Sequence, residues 1–147
     1  MKPLKQLTVV VGLAVVAAGL TWLLKGPPLD PTVEKCNPAI LKPDEICLAD
    51  ARGKILWIDA RPRSEWQENG LEGSVLWNLD PEENQQEFEA QAAMKAIEAE
   101  LVVVYCGTAT CGTSRQIANR LRNLQLGPPV KVLYGGWDSL KDSSSAP

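Results

Sequence analysis

Apolar and polar positions along this chain change spacing repeatedly, and each change predicts a new element. Lys54 to Ala60, KILWIDA, and Leu101 to Tyr105, LVVVY, are short runs rich in β-branched residues. Their apolar character is nearly continuous, as expected of strands covered on both faces. Ser74 to Leu79 and Val130 to Tyr134 predict two further strands. Between them the spacing becomes helical. Pro62 to Asn69 predicts a short helix that buries Trp66. Asp80 to about Ala99 predicts a long one, with Asp80 as N-cap, Pro81 at the first position and a narrow stripe of Phe88, Ala92, Ala96 and Ile97. Ile117, Ala118, Leu121 and Leu124 mark a third helix beginning near Ser114, where Thr113 and Gln116 form a capping box. Trp137 anchors a final short helix after the tight Gly135-Gly136 loop. Near the start of this region, Pro43 followed by Asp44 and Glu45 predicts another short helix, ended by Gly53, with Ile46 and Cys47 facing inward. Strand and helix alternate, so the expected fold is α/β, a parallel sheet flanked by helices on both faces.

The first residues read differently. Leu7 to Leu24 is a run of 18 residues without a charge, just long enough for a transmembrane helix. Lys2 and Lys5 precede it, so the positive-inside rule puts the N-terminus in the cytoplasm and the rest of the chain on the exported, periplasmic or extracellular, side. The same run admits a cleaved signal peptide, with Val15-Val16-Ala17 or Val16-Ala17-Ala18 as the cleavage site. Cleavage there would leave an apolar stub from Leu20 to Leu24, which favours an uncleaved anchor. The expected organisation is an anchor over 1–25, a Pro-rich linker over 26–37, a domain over 38–141 and a disordered tail over 142–147. The linker holds Pro27, Pro28 and Pro31, which suit a semi-extended spacer.

Charge and composition narrow the function. The 147 residues carry a net charge of −3, and the three lysines of the first 25 residues leave 12 basic and 18 acidic residues beyond them. An acidic domain is not expected to bind nucleic acid. The absence of histidine excludes a histidine base or a histidine metal ligand. The four cysteines, Cys36, Cys47, Cys106 and Cys111, lack the paired CxxC spacing of a zinc site, so neither a metal nor a cofactor is expected.

The candidate chemistry lies at the end of the 101–105 strand. Cys106 follows it directly, and Gly107, Thr108, Ala109, Thr110, Cys111, Gly112 and Thr113 are small or polar residues able to turn tightly and point amide N–H groups inward. Ser114 and Arg115 lead into the next helix. Free N–H groups and the positive dipole end at a helix N-terminus favour an anion, and a thiolate is one. The same two cysteines could equally pack as small hydrophobes or form a disulfide. Asp59 and Arg61 stand at the C-terminal end of the 54–60 strand, where α/β sheets place their sites. A turn and capping pair is the plainer reading of those two.

With these residues in place the chain resembles the rhodanese-like domain family. The resemblance spans roughly Pro38 to Leu140. It rests on Ile58-Asp59-Ala60-Arg61, on Glu65-Trp66 followed by Gly70-Leu71-Glu72-Gly73-Ser74, on Val102 to Cys106, on Ser114 with Ile117-Ala118 and Leu121, and on Val132-Leu133-Tyr134-Gly135-Gly136-Trp137. The resemblance implies a sulfurtransferase. A cysteine takes a sulfane sulfur from a small donor such as thiosulfate, becomes a persulfide, and passes the sulfur to cyanide or a thiol acceptor. It points to Cys106 as the catalytic residue, with Cys111 as the alternative, residues 107–115 as the substrate-binding loop, and Asp59 and Arg61 in support. Arg115 is expected to attract an anionic donor. The sequence departs from the family in two places: Leu71 replaces a turn histidine, and the loop after Cys106 is longer than usual. Related phosphatases and arsenate reductases use Cys-x5-Arg, but here Gly112 and Ile117 occupy the arginine position counted from either cysteine, which discounts that chemistry. Two other outcomes remain: a non-catalytic binding module with a Cys106–Cys111 disulfide, and a dithiol redox pair. The membrane, through residues 7–24, is the one expected macroscopic partner. No protein partner is legible.

Overall fold

The computed structural model describes residues 36–108 and 112–144, the last three as backbone only. The apolar run 7–24, most of the Pro-rich linker, residues 109–111 and the final three residues lie outside the described residues. Among the described residues no helix is long and apolar enough to cross a membrane.

Five parallel strands form one sheet: β1 (Glu45–Ile46), β2 (Ile55–Asp59), β3 (Val75–Leu76), β4 (Leu101–Tyr105) and β5 (Val130–Leu133), in the order β1-β5-β4-β2-β3. Among the described residues four α-helices are interspersed: α1 (Arg63–Asn69), α2 (Gln85–Ala96), α3 (Gly112–Asn123) and α4 (Gly136–Ser144). β4 is central, and all five of its residues are buried. Leu101 to Tyr105 therefore needs apolar side chains on both faces, which is why the sequence shows no alternation there.

The period of two still sorts the side chains. Val102 and Val104, with Leu56 and Ile58 of β2, pack beneath α2 and α3. Phe88, Ala92 and Ala96 supply one turn-spaced stripe from α2, and Ser114, Ile117, Ala118 and Leu121 supply another from α3. Leu101, Val103 and Tyr105 face the opposite side, where Leu133, Leu140, Trp57 and Trp137 complete a smaller cluster.

Four local expectations differ from the structure. The predicted helix after Pro43 is instead the two-residue strand β1 followed by a single 3-10 turn, Leu48–Asp50. Val132 and Tyr134 donate their amides to Asp44 and Ile46, and this pairing with β5 overrides the helix-start signature. The long helix begins four residues late. Asp80 closes a turn by accepting the Glu82 amide at 3.0 Å, and Asn84 is the N-cap, accepting from Glu87 at 3.2 Å. Trp57 and Trp66 are half-buried, whereas Trp77 is wholly enclosed. Finally, α4 runs through Ser144, into the stretch expected to fray.

A disulfide joins Cys36 to Cys47. It ties the end of the Pro-rich segment to the residue that follows β1, and the pair has no local sequence motif. Ile46 and Cys47 do face inward, Cys47 being buried and Ile46 packed on the smaller cluster.

Candidate functional site

Ala60 and Cys106 leave the carboxyl ends of the neighbouring strands β2 and β4, the end at which open α/β sheets carry their sites. A cavity of about 260 Å³ opens there. Ala60, Arg61, Pro62 and Glu65 line it from beyond β2, Cys106, Gly107 and Thr108 from beyond β4, and Thr113 from the first turn of α3. Two larger hollows, of about 420 and 450 Å³, lie between α1 and α2 and at the opposite end of the sheet. Neither is lined by a cysteine, so volume does not identify the site.

Cys106 is 7% exposed and belongs to the cluster beneath α2 and α3. It is disulfide-bonded rather than a free thiol. Its backbone is held from the neighbouring strand's side: the Trp137 amide donates to its carbonyl at 2.7 Å. One residue earlier, the Ala60 amide donates to the Tyr105 carbonyl at 2.8 Å. The strand end that carries the sulfur is therefore clamped from both flanks.

Beneath this end lies a buried polar cluster on the opposite face of the sheet. Asp59 and Tyr105 are register partners in β2 and β4, and both are fully buried. The Tyr105 hydroxyl donates to Asp59 Oδ2 at 2.8 Å and accepts from the Leu71 amide at 3.3 Å. Arg61 turns back onto the same carboxylate. Its backbone amide and Nε donate to Oδ1 at 2.9 and 3.0 Å, and Nη2 donates to Oδ2 at 2.7 Å. Nη1 reaches Asn69 Oδ1 at 2.9 Å, with Glu65 at 3.5 Å. The guanidinium lies 4.0 Å from the centroid of the Trp137 ring. An arginine can be buried here because nearly every donor has an acceptor and its face has an aromatic ring.

The electrostatics follow from that burial. Desolvation works against the Arg61 charge, but the hydrogen bonds and charge of Asp59 outweigh it and the pKa is raised, so Arg61 stays protonated. Tyr105 is pushed up to about 12, first by burial and then by the adjacent Asp59 carboxylate. Asp59 and Arg61 thus exceed a turn and capping pair; they form the internal support of the strand ends.

Of the loop residues named from sequence, Cys106, Gly107, Thr108 and Thr113 meet at the cavity. Ala109, Thr110 and Cys111 lie outside the described residues. Gly112 opens α3, and Ser114 is buried in it. Arg115 is directed elsewhere. Its Nη2 donates to Glu45 Oε1 at 2.5 Å and its Nε lies 3.4 Å from Asp44, so it links α3 to β1 and does not line the cavity. Sequence reasoning missed Trp137 and Glu65 as parts of the site. The Gly135-Gly136-Trp137 motif was visible, but only the topology carries it to Cys106.

The rhodanese-like domain family profile matches residues 43–143, and the chain belongs to that family. Membership places it among sulfurtransferase-type proteins and their relatives. The fold is similar to that of the N-terminal domain of a putative ATP/GTP binding protein from Clostridium difficile, at 18% identity and a TM-score of 0.51, over 69% of this chain and 99% of that one. A protein from Bacillus halodurans is similar at 18% identity and a TM-score of 0.50, over 68% of this chain and 72% of that one. The As-Sb reductase from Leishmania major is 23% identical with a TM-score of 0.48, over 61% of this chain and 64% of that one. No functionally curated protein matches the chain.

Proposed function

We propose that this domain is a sulfurtransferase in which Cys106 carries the sulfur. The observation that bears most on this reading is the placement of Cys106 at the end of the central strand, on a cavity that also borders the first turn of α3. The reduced thiolate attacks the sulfane sulfur of thiosulfate; the S–S bond of the donor breaks, sulfite leaves with the electron pair, and a cysteine persulfide remains. A thiol or cyanide acceptor then attacks the outer sulfur and the Cys106 thiolate leaves. Loop amides and the start of α3 are suited to hold both anions. No histidine base is needed, because the nucleophile is already a thiolate.

The disulfide on Cys106 favours a second reading beside it. Cys36 and Cys47 are bonded to each other, and Cys111 is the fourth cysteine of the sequence. A Cys106–Cys111 pair would rest in the oxidised state and need reduction before sulfur transfer, or would itself be a dithiol redox pair. We further propose that residues 1–25 anchor the chain and 26–37 space the domain from the membrane, on the exported side. The uncharged run 7–24 and the Cys36–Cys47 disulfide support this, since disulfides persist in oxidising compartments.

The test is intact-mass spectrometry of the full chain, reduced and then treated with thiosulfate. A gain of one sulfur atom that cyanide removes is expected. No gain with thiosulfate or with a thiol persulfide would leave the redox pair as the better reading.

A further inference from the structure

We infer that Trp137 is a positioning residue for the Cys106 sulfur, acting through the backbone and held in place by Arg61. This rests on the reading of Cys106 as the reactive residue. Three contacts on one turn carry the inference. The Trp137 amide donates to the Cys106 carbonyl at 2.7 Å, so the peptide that leaves the Cys106 α-carbon takes its orientation from the turn after β5. The Trp137 ring is pinned in turn. It lies under the Arg61 guanidinium at 4.0 Å and stacks on Tyr105 at 5.9 Å with 22° between planes. Gly136 leaves no slack between them. Its φ is +58°, and a Cβ there would run into the Cys106 carbonyl oxygen. The buried ion pair on one face of the sheet is thereby connected to a sulfur on the other.

The hold is made by stacking rather than by the indole N–H. Nε1 of Trp137 is buried without a hydrogen-bond partner among the described residues. Phenylalanine can therefore keep the hold, and alanine cannot. A thiolate beside the first turn of α3 is sensitive to where its sulfur sits, because the pull of a helix N-terminus falls off within that turn. A ring that only filled space would affect stability and leave the thiol's acidity alone.

The experiment reads the pH dependence of Cys106 alkylation by iodoacetamide in the reduced full chain, in a Cys111→Ser background, with peptide mass locating the label. Alkylation needs no sulfur donor, so it is informative even if the protein never takes up sulfur. In Trp137→Ala the midpoint is expected to rise by about one pH unit as the sulfur loses its place beside the first turn of α3. Trp137→Phe should return to the parent value. Trp57→Ala is the control: its ring meets Tyr105 edge-on at 6.3 Å, and it should lower stability without moving the midpoint. Gly136→Ala, which needs no change to the ring, should move the midpoint in the same direction as Trp137→Ala. An unchanged midpoint in folded Trp137→Ala, or in Gly136→Ala if the first variant does not fold, would overturn the inference. So would a Trp137→Phe variant that behaves like Trp137→Ala.

Discussion

Arg115, in the first turn of α3, grips Glu45 on the edge strand β1, with Nη2 2.5 Å from Oε1. The two residues are 70 apart in sequence. The contact turns a loop-flanking arginine into a fastener for the sheet's edge, because β1 is only two residues long and pairs with β5 alone. Arg115→Gln should loosen β1 first. The Val132 and Tyr134 amides, which donate to Asp44 and Ile46, should lose protection in hydrogen exchange. Global stability should fall by about 1–3 kcal/mol, since Glu45 would lose the charged partner of a largely buried carboxylate. Unchanged protection of both amides would count against this role.

The two cysteines after β4 should separate cleanly. Cys106→Ser is expected to abolish sulfur uptake from thiosulfate. Cys111→Ser should retain it, or increase it where a competing disulfide is removed. The readout is the mass gain of each reduced variant. Uptake that survives in Cys106→Ser and disappears in Cys111→Ser would move the persulfide to the other cysteine.

Stability should fall steeply in strong alkali because of one phenol. Tyr105 ionises near the ordinary tyrosine value when unfolded and at about 12 in the fold. A raised folded pKa means that its contribution is complete below about pH 10 and is lost as pH rises toward the folded value. Urea midpoints measured between pH 9 and 12 should fall more in the parent than in Tyr105→Phe, which has no such proton to lose. Parallel curves for the two proteins would show that the fold does not hold the phenol neutral.

Trp77 and Trp57 should differ in cost. Trp77 is fully enclosed, so Trp77→Ala should destabilise by about 3–5 kcal/mol through lost transfer energy and a cavity. Trp57 is half-buried on the thinner face, and Trp57→Ala should cost about half as much or less. Urea denaturation of both variants gives the comparison. Equal losses would mean that the thinner face is as tightly packed as the other.

The long strands and helices were legible because their patterns are local. Leu101 to Tyr105 can be little else than a buried strand, and Ile117, Ala118 and Leu121 mark one face of a helix. The position of Cys106 at the strand's end followed from the same reading. What failed depends on partners distant in sequence. Pro43-Asp44-Glu45 is a good helix start, and only β5 makes it a strand. Asp80 and Asn84 are both sound caps, and sequence offers no reason to prefer the second. Arg115 looked available to a ligand because its acidic partners precede it by some 70 residues. The Asp59–Arg61 pair looked like a turn because the pattern does not reveal that Tyr105 and Trp137 enclose it. The Cys36–Cys47 bond had one usable hint: two cysteines outside the loop that follows β4, in a chain expected to be exported.

That bond also sets where a pull would enter the fold. Cys36 and Cys47 are 11 residues apart, and β1 lies between them. Tension travelling along the chain from its N-terminal side passes through the sulfur bridge and reaches the domain at Cys47. The covalent path carries the force past Glu45 and Ile46, so their hydrogen bonds to β5 are not pulled apart one at a time. With the bridge reduced, the same tension would run through β1 and could peel the edge strand from the sheet like a zip. An intact bridge keeps such tension off a two-residue edge strand.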